Sequence, residues 1–328
     1  MASLYLVEQG AKLRKESKKF VVEKDDKVLL EIPEFKVDRV FIFGNIQLTT
    51  QAMKFLLENS IDVSFFSYYG KFLGKLTPVE SKNVLLRICQ YEKYKNEEFK
   101  LKISKVFVRG KINNCRNLLM RYMRNHPEVD FSSQLSELKS LLSEVERKCS
   151  ISSIRGVEGR ASVVYFKCFG EMIIKNFSFK QRKPRHPKDP VNSLLSFGYA
   201  LLTNELFSAI AGAGFDPYIG YFHSVDYGRP TLALDLIEEF RQPVIDRLVI
   251  EVINKEIIKP DDFEEVEGKI YLNEKSRKEF LAQFERRMQT KIHHGEKLMS
   301  YREVIHHQTK EFAKTIMEDE EYKPFSIR

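Results

Sequence analysis

Cysteine is scarce in this sequence, and no cysteine pair has the spacing of a metal-binding or redox motif. The 328 residues include only four cysteines, Cys89, Cys115, Cys149 and Cys168, and none of them forms a CxxC pair. Small secreted domains that depend on disulfides carry a denser, paired pattern. The scarcity therefore excludes a disulfide framework, argues against a cysteine zinc site and predicts a reducing, cytoplasmic setting.

Long apolar runs are also missing. No stretch approaches eighteen uninterrupted apolar residues, and the opening segment MASLYLVEQGAKLRKESKKF meets charged side chains after a few apolar positions. A membrane span and a cleaved secretory signal are therefore not expected. The phosphate-binding patterns GxxxxGK[ST] and GxGxxG do not follow a predicted strand, so no nucleotide cofactor is expected.

The sequence has a modest excess of positive charge, and its placement is more informative than its size. Lysine and arginine number 54 against 46 aspartates and glutamates, which gives a formal charge of +8 and a pI near 9.1. Residues 79–150 hold 15 of the basic and 9 of the acidic side chains. A basic excess of this kind indicates a polyanionic partner.

Length and hydrophobic periodicity predict two domains and an α+β fold. Up to residue 78, short runs rich in Val, Ile and Phe predict a small, mostly antiparallel β domain that one helix, Thr50–Asn59, interrupts. From residue 79 to residue 328 the apolar spacing predicts a larger, all-helical domain, joined to the first at Thr77–Val79. The predicted helices of this domain are Asn83–Asn125, Gln134–Lys148, Glu158–Phe177, Pro190–Gly212, Thr231–Lys255, Ser276–Thr290 and Tyr301–Glu318.

Glu158 is the first candidate for chemistry. It lies in the segment RGVEGRASVVY at a predicted helix start, one and two turns before Ser162 and Tyr165, which are expected to pack inward. The carboxylate is therefore expected to point inward or into a crevice. The purely structural alternative is an acid in the first turn of a helix, which the helix dipole favours by itself.

Three further polar side chains stand out in the segments GYFH and TLALDLIEEFR. His223 ends an apolar run beside glycine-permitted turns and could act as a ligand or general base, although histidine also has ordinary structural roles. Asp235 is a poor helix former between leucines and lies three residues before Glu238, so the two carboxylates share a helix face. The structural alternative is a solvated acidic stripe, to which Glu239 and Arg241 are assigned.

Glu158, His223, Asp235 and Glu238 together would form an oxygen-rich site with one nitrogen ligand. Such a donor set suits Mg²⁺ or Mn²⁺ better than structural zinc. The adjacent pairs His293-His294 and His306-His307 are not expected to chelate a metal, because neighbouring residues on a helix diverge by about 100°. The sequence therefore predicts one divalent-metal site.

A basic loop, residues 180–188, has the sequence KQRKPRHPK, with five Lys or Arg residues and no acid. Its prolines exclude a regular helix and predict an exposed segment. It lies between the Glu158 helix and His223 in sequence, where a phosphate backbone approaching the site would need positive charge. The alternative is an ordinary solvated loop. A weaker candidate for the same role is the helical stripe of Lys105, Arg109 and Arg116.

Four segments strongly resemble the CRISPR-associated adaptation integrase family, the first-numbered Cas proteins, which insert new spacers into CRISPR arrays. They follow the family's order, and the resemblance covers nearly the whole chain. The segments are GVEG at 156–159, RKPRHPKDPVNSLLSFGY at 182–199, GYFH at 220–223 and RPTLALDLIEEFR at 229–241.

The resemblance implies an N-terminal β domain, residues 1–78, that dimerises, and a catalytic domain, residues 79–328, that holds Mg²⁺ or Mn²⁺. The family's metal ligands map onto Glu158, His223 and Glu238, and Asp235 is assigned an auxiliary role. Because family members carry Asp or Glu at the last position, Asp235 remains an alternative to Glu238 as the direct ligand. The residues expected to contact DNA are Lys180, Arg182, Lys183, Arg185, Lys188, Asn192, Arg229 and Arg241.

The implied reaction is transesterification of double-stranded DNA. The 3′-hydroxyl of an incoming prespacer attacks a phosphodiester at the boundary of the CRISPR repeat and leader, and water in the same place would cleave DNA. The implied partners are a second copy of this chain and a dimer of the small second-numbered Cas protein, with no membrane. The residues alone leave two other classes open: a noncatalytic nucleic-acid-binding scaffold with structural carboxylates and, more remotely, a small-molecule metallohydrolase.

Overall fold

The chain folds into two compact units. The computed structural model describes residues 2–78, 83–183 and 187–327. One unit consists of Met1–Glu80 with Leu272–Leu281, and the other of Ser81–Tyr271 with Ala282–Arg328. The predicted joint at Thr77–Val79 runs into positions outside the described residues. The hydrophobic pattern did not indicate that residues 272–281 group with the first unit.

Two mixed four-stranded sheets make up most of the first unit. Its strands are β1 (Ala2–Leu6), β2 (Lys12–Glu16), β3 (Lys19–Lys24), β4 (Lys27–Pro33), β5 (Val37–Phe43), β6 (Gln47–Leu48), β7 (Asp62–Phe66) and β8 (Phe72–Leu76), and its helix is α1 (Thr50–Glu58). The sheet orders are β1-β5-β7-β8 and β4-β3-β2-β6.

The pairing within these sheets corrects one expectation. Strands β1 and β7 both run parallel to β5, and β2 runs parallel to β6, whereas β2, β3 and β4 form an antiparallel meander and β7 pairs antiparallel with β8. The domain is therefore mixed, with three antiparallel and three parallel pairings, where the sequence predicted mostly antiparallel ones. Between β5 and β7 the chain crosses over through β6 and α1, and such a crossover makes the two strands parallel.

Helix α1 closes the core of the first unit. The Thr49 side chain caps it by accepting a hydrogen bond from the Ala52 N–H at 3.2 Å, which confirms the predicted helix start. Its Leu56 packs with Leu13, Phe20 and Val63 from the sheets. The short apolar runs identified in the sequence therefore supply a single hydrophobic core.

The second unit is largely helical, and most predicted helices are confirmed within a few residues. Its helices are α2 (Val84–Lys95), α3 (Glu97–Asn125), α4 (Ser132–Glu146), α5 (Ile151–Glu171), α6 (Pro190–Ala213), α7 (Thr231–Leu236), α8 (Arg247–Asn254), α9 (Glu274–Gln289), which begins in the segment grouped with the first unit, and α10 (Tyr301–Glu318). The predicted helix over 83–125 is divided because Asn96 interrupts it and caps α3 by accepting from the Phe99 N–H at 2.9 Å.

Two β-hairpins make the all-helical prediction for residues 79–328 wrong. They are β9 (Phe263–Val266) with β10 (Lys269–Leu272), and β11 (Lys291–His294) with β12 (Lys297–Ser300). The first hairpin turns at Glu267 and Gly268, which have positive φ angles of 52° and 71°. Glycine at such a two-residue turn is a hairpin signal that was present in the sequence.

Residues 231–254, predicted as one regular helix, change helical type twice. After α7 the chain forms a 3₁₀ turn at Ile237–Glu239 and a π-helical turn at Arg241–Asp246 before α8 begins. Pro243 lies within the π turn and cannot donate a backbone hydrogen bond. The change of hydrogen-bond register aims Glu238, Glu239 and Arg241 differently from a continuous α-helix.

Helix α6 of the second unit is buried along most of its length. By length and composition alone it is the one helix of the described residues that could span a membrane, with a mean hydropathy of 1.3 over eighteen residues, of which 61% is buried. Asp189 caps it by accepting from the Asn192 N–H at 2.8 Å, and Gly214 ends it at φ 103°. Its apolar character is what a helix packed on several sides requires.

Candidate metal centre

Glu158 lies inside helix α5 and not at its start. The helix begins at Ile151, where the Ser150 hydroxyl accepts a hydrogen bond from the Ser153 N–H at 3.3 Å. The predicted start at Glu158 is wrong, and the dipole of a first turn does not explain this carboxylate. Its Oε1 accepts hydrogen bonds from the Ser162 hydroxyl at 2.9 Å and from the Lys111 ammonium.

Lys111 of helix α3 joins Glu158 to Glu238. Its Nζ is in contact with Glu158 Oε1 and lies 2.8 Å from Glu238 Oε2, and its side chain is only 10% exposed. Burial by itself lowers the pKa of a lysine, but the two carboxylates outweigh it and raise the pKa of Lys111 above the ordinary value. The ammonium is therefore a permanent charge between two acids from separate elements. Sequence reasoning missed this residue.

Glu238 is almost completely buried, with a side chain that is 5% exposed. Its Oε1 accepts a hydrogen bond from Arg241 Nε at 3.1 Å. Burial alone would raise the pKa of Glu238, but the positive charges of Arg241 and Lys111 prevail and lower it to about 2. Glu238 is therefore ionised throughout the physiological pH range.

Asp235 holds the segment that carries His223. It is fully buried, and its carboxylate accepts hydrogen bonds from the backbone N–H groups of Tyr221, Phe222 and His223 at 2.5, 3.0 and 2.9 Å. The same carboxylate lies 2.8 Å from His223 Nδ1. This contact orients the imidazole and leaves Nε2 without a hydrogen-bond partner in the part of the chain that the structure describes.

Gly220 is required at the start of this segment. A Cβ atom there would lie 2.6 Å from Asp235 Oδ2 and 2.6 Å from the carbonyl carbon of Thr231. The Gly220 N–H also donates to the Thr231 hydroxyl at 2.8 Å. The GYFH segment is thus pinned by α7 at both Thr231 and Asp235.

The structure brings two of the predicted ligands together directly. Glu158 and Glu238 meet at Lys111, whereas the His223 ring is held by Asp235. Within residues 2–78, 83–183 and 187–327, no three His, Cys, Asp or Glu side chains are gathered tightly enough to hold a metal ion without rearrangement. Asp235 is committed to the backbone and to His223, so it does not face the two glutamates as a free donor.

The residues nevertheless fit a divalent cation. Glu238 Oε2 is buried and has no hydrogen-bond partner, because the Lys111 ammonium approaches it as an ion pair without hydrogen-bond geometry. Two carboxylates that share one buried positive charge supply the hard oxygen donors that Mg²⁺ and Mn²⁺ prefer.

Arg241 connects Glu238 to a buried polar layer behind it. Its guanidinium lies 4.5 Å from the centre of the Tyr199 ring, and that of Arg182 lies 5.3 Å from the same ring. The Tyr199 hydroxyl donates to Asp246, which also accepts from the Tyr165 hydroxyl at 2.8 Å. Burial raises the pKa of Asp246 to about 6. The π turn thus holds both ends of this layer, Arg241 and Asp246.

The comparison with known proteins settles the family. A family model described as CRISPR associated protein Cas1 matches residues 4–286. The chain belongs to the Cas1 family. It is 37% identical over 330 residues to the CRISPR-associated endonuclease Cas1 3 of Thermus thermophilus, with 99% of this chain and 97% of that protein covered. The family resemblance noted in the sequence is confirmed.

Solved structures agree with this assignment. The structure described as a casposase bound to integration product superposes with a TM-score of 0.88 at 25% identity and covers 98% of this chain and 92% of its own. A chain of a Cas6-RT-Cas1–Cas2 complex superposes with a TM-score of 0.85 at 26% identity, over 100% of this chain and 36% of that one. The α+β organisation of this chain is thus the Cas1 fold.

Of the residues predicted to contact DNA, some have exposed side chains and others have side chains turned into the protein. Asn192 is fully buried; its amide oxygen accepts from Arg182 Nη1 at 2.7 Å and from the Lys183 N–H at 2.8 Å. In this structure the Asn192 side chain organises the basic loop from within, and its predicted DNA contact stays a prediction. Arg182 is turned inward as well, because it also donates to the Ser196 hydroxyl at 3.1 Å.

Most of the other basic residues predicted to contact DNA are exposed and available to a phosphate backbone. They are Lys180, Lys183, Lys188 and Arg229. Arg241 is paired with Glu238, and Arg185 lies outside the described residues. In the weaker stripe, Lys105 donates to the Glu146 carbonyl oxygen at 2.7 Å, Arg109 pairs with the Glu146 carboxylate at 3.3 Å, and Arg116 is partly buried.

The assignment of Glu239 to a solvated acidic stripe is wrong. Glu239 is 2% exposed and accepts hydrogen bonds from the Tyr322 hydroxyl at 2.6 Å and from the Phe325 N–H. Gly110 of α3 makes room for this tail segment, since a Cβ there would lie 2.7 Å from Pro324 Cβ. The 3₁₀ turn therefore directs Glu238 towards Lys111 and Glu239 towards residues 322–327.

Burial raises the pKa of Glu239 from its ordinary value of 4.5 to about 8, although the hydrogen bonds from Tyr322 and Phe325 oppose the shift. Because the folded value lies above the unfolded one, the contribution to stability is present below pH 4.5 and is lost as the pH rises to about 8. In the wild type, the free energy of unfolding should fall between about pH 4.5 and about pH 8.5 as Glu239 ionises. In Glu239→Gln this fall is expected to be smaller by on the order of 3 kcal/mol.

Urea denaturation across this pH range measures the effect, and Glu318→Gln, an exposed change on α10, is the matched control. The assignment of the titration to Glu239 is contradicted if the wild type and Glu239→Gln lose the same free energy over the range.

Proposed function

We propose that this chain is a divalent-metal-dependent DNA endonuclease and integrase that inserts spacer DNA into a CRISPR array in the cytoplasm. The observation that carries the proposal is the meeting of Glu158 and Glu238, from separate elements, at one buried positive charge. Asp235 orients His223, the third proposed ligand. Paired carboxylates of this kind are suited to phosphoryl transfer. The names of the relatives, a Cas1 endonuclease and a casposase with its integration product, support the same activity.

Glu158, Glu238 and His223 are the residues proposed to hold Mg²⁺ or Mn²⁺. When bound, such an ion polarises the scissile phosphate and neutralises the charge that develops on it. Glu238 is suited to this role because Arg241 keeps it fixed and ionised. Asp235 acts through His223, which it orients.

In the proposed reaction the 3′-oxygen of the incoming strand forms a new bond to phosphorus, and the bond from phosphorus to the 3′-oxygen of the target strand breaks. The hydroxyl proton leaves as the first bond forms, and a proton is returned to the departing 3′-oxygen. If the two glutamates alone hold the ion, Nε2 of His223 keeps its lone pair, because Nδ1–H is donated to Asp235, and can accept such a proton. If His223 also holds the ion, that lone pair is used for the metal. Water in place of the 3′-hydroxyl gives hydrolysis.

The test is strand joining of a short blunt duplex into a supercoiled plasmid that carries a CRISPR repeat, with the Cas2 partner present. Joining is expected with Mn²⁺ or Mg²⁺, and is expected to disappear with a chelator or with a duplex whose 3′ ends are dideoxy. Binding of the duplex without joining under all metal conditions would favour the noncatalytic scaffold instead.

We further propose that the chain works as a homodimer with Cas2. A solved complex that contains both Cas1 and Cas2 supports the second partner. In the first unit, strand β4 lies at a sheet edge and exposes Val28, Leu29 and Leu30 by 52%, 50% and 44%. An apolar edge of this kind is normally covered by another chain.

Val28→Glu with Leu30→Glu is expected to weaken self-association by about a hundred-fold, because two aliphatic side chains would leave the interface. Light scattering over a dilution series measures the dimer. Lys27→Glu, an exposed change at the start of the same strand, is the control. A dimer that persists unchanged in the double variant would place the interface elsewhere.

The exposed lysines of the basic loop are proposed to contact DNA phosphates. Changing Lys180, Lys183 and Lys188 to alanine is expected to reduce the slope of log K against log[salt] by ~2–3 units, at about 0.9 per phosphate. Affinity should fall equally for unrelated duplex sequences. Arg182→Ala is the control, since its guanidinium faces inward and should leave the slope nearly unchanged. An unaltered slope in the triple variant would make the loop an ordinary solvated segment.

A further inference from the structure

Lys111 lies where the two carboxylates of the site converge. We propose that Lys111 is an exchangeable resident cation: it neutralises Glu158 and Glu238 in the metal-free chain and must leave them when a divalent ion binds. This inference rests on the proposed metal-dependent function. It adds that Lys111 competes with the divalent ion for the carboxylates of Glu158 and Glu238.

The contacts of Lys111 are confined to this pair. Its ammonium touches Glu158 Oε1 and lies 2.8 Å from Glu238 Oε2, and the described residues provide it with no third hydrogen-bond or ion-pair partner. The side chain is 10% exposed, so in the metal-free chain the two acids, and not bulk water, supply most of its counter-charge. The amine therefore acts as a counter-ion to these two oxygens.

Geometry makes metal and ammonium mutually exclusive. A divalent ion held by Glu238 would use Oε2, because Oε1 accepts from Arg241, and Oε2 is the oxygen that the Lys111 ammonium approaches at 2.8 Å. Two like charges in one buried space repel strongly because the local dielectric is low. Metal binding to Glu158 and Glu238 therefore requires the ammonium to withdraw.

The two cations around Glu238 differ in how easily they can move. Arg241 holds Glu238 Oε1 while its guanidinium packs on the Tyr199 ring, so a planar group is fixed on two sides. Lys111 ends in a compact ammonium on a flexible four-carbon stem and packs on no aromatic ring in the described part of the chain. Arginine thus keeps the carboxylate in place while lysine can depart.

The experiment measures Mn²⁺ binding to the full chain without DNA, from the electron paramagnetic resonance signal of free Mn²⁺. Lys111→Met keeps the stem and removes the charge, and is expected to tighten Mn²⁺ by about ten-fold or more, since the competitor is gone. Lys111→Arg keeps a charge that is harder to displace, and is expected to weaken Mn²⁺ binding. Lys102→Met, an exposed change on the same helix, is the matched control.

Thermal unfolding supplies a second readout. Without metal, Lys111→Met should melt below the wild type because the buried Glu238 and the partly buried Glu158 lose their counter-ion. Saturating Mn²⁺ should then raise its melting temperature by more than it raises that of the wild type, because binding to the folded chain alone stabilises it. If Lys111→Met does not fold, weaker Mn²⁺ binding by Lys111→Arg still supports the exchange, and unchanged binding still overturns it.

The outcomes separate this inference from the proposed function. If the wild type binds no Mn²⁺ that depends on Glu158, the metal site itself is wrong. If Glu158-dependent binding is present but Lys111→Met binds Mn²⁺ equally or more weakly, the metal site stands and the exchange is wrong.

Discussion

Glu158→Gln is expected to reduce Mn²⁺-dependent strand joining by at least about a hundred-fold, while duplex affinity changes by less than about three-fold. The carboxylate lies in the proposed metal site, where the loss of one ligand charge removes several kcal/mol of stabilisation from the reacting phosphate. Duplex affinity depends on exposed cations such as Lys183 and Lys188, which this change leaves in place. Plasmid joining and a filter-binding assay at one salt concentration measure the two quantities.

Glu171→Gln, an exposed change at the end of the same helix, is the control for this experiment. Glu238→Gln should abolish joining as well, but it also leaves Arg241 without its buried partner and is expected to lower the melting temperature. The Glu158 side chain is less deeply buried than that of Glu238 and therefore gives the cleaner comparison. Wild-type joining by Glu158→Gln would remove this residue from the proposed site.

Asp235→Asn is expected to destabilise the folded chain by about 2–4 kcal/mol and to slow strand joining, though by less than Glu238→Gln does. Three backbone N–H groups and one imidazole N–H point at this carboxylate, and an amide nitrogen in the same place must face at least one of them. His223 then loses its orientation even where the chain still folds. Urea denaturation and joining rates measure the two effects.

Asp226→Asn, in the exposed turn after His223, tests whether any acid-to-amide change nearby has the same result. Equal stability of Asp235→Asn and the wild type would contradict the structural role. A larger loss of joining than in Glu238→Gln, with the fold intact, would exchange the roles assigned to the two acids.

Local patterns in the sequence were sufficient to predict most of the helices and to identify the candidate acidic residues. Apolar spacing placed α6 and α10 nearly to the residue, and Asp235, singled out as a poor helix former between leucines, has specific hydrogen-bond partners. The helical start at Glu158 was wrong because the true cap, Ser150, precedes a turn of weak apolar periodicity. The contact between Glu158 and Glu238 could not be predicted from either segment alone.

The roles of Lys111 and Glu239 show why the remaining features of the site could not be predicted from the sequence. Lys111 lies among the buried residues Val108, Ile112 and Cys115, and a lysine in such surroundings is a weak signal that only a partner from another helix explains. Glu239 looks solvated if a regular helix is assumed, whereas the 3₁₀ turn directs it inward. Both positions are set by long-range packing that local periodicity does not contain.

The π turn at Arg241–Asp246 makes the number of residues in this segment more constrained than their identity. Loss of one residue would restore an ordinary helix and rotate everything beyond it by about 100°, with a shift of about 1.5 Å along the axis. Asp246 would then turn away from Tyr165 and Tyr199 while Arg241 stayed beside Glu238. Among related chains, substitutions within this segment should therefore be tolerated more readily than insertions or deletions.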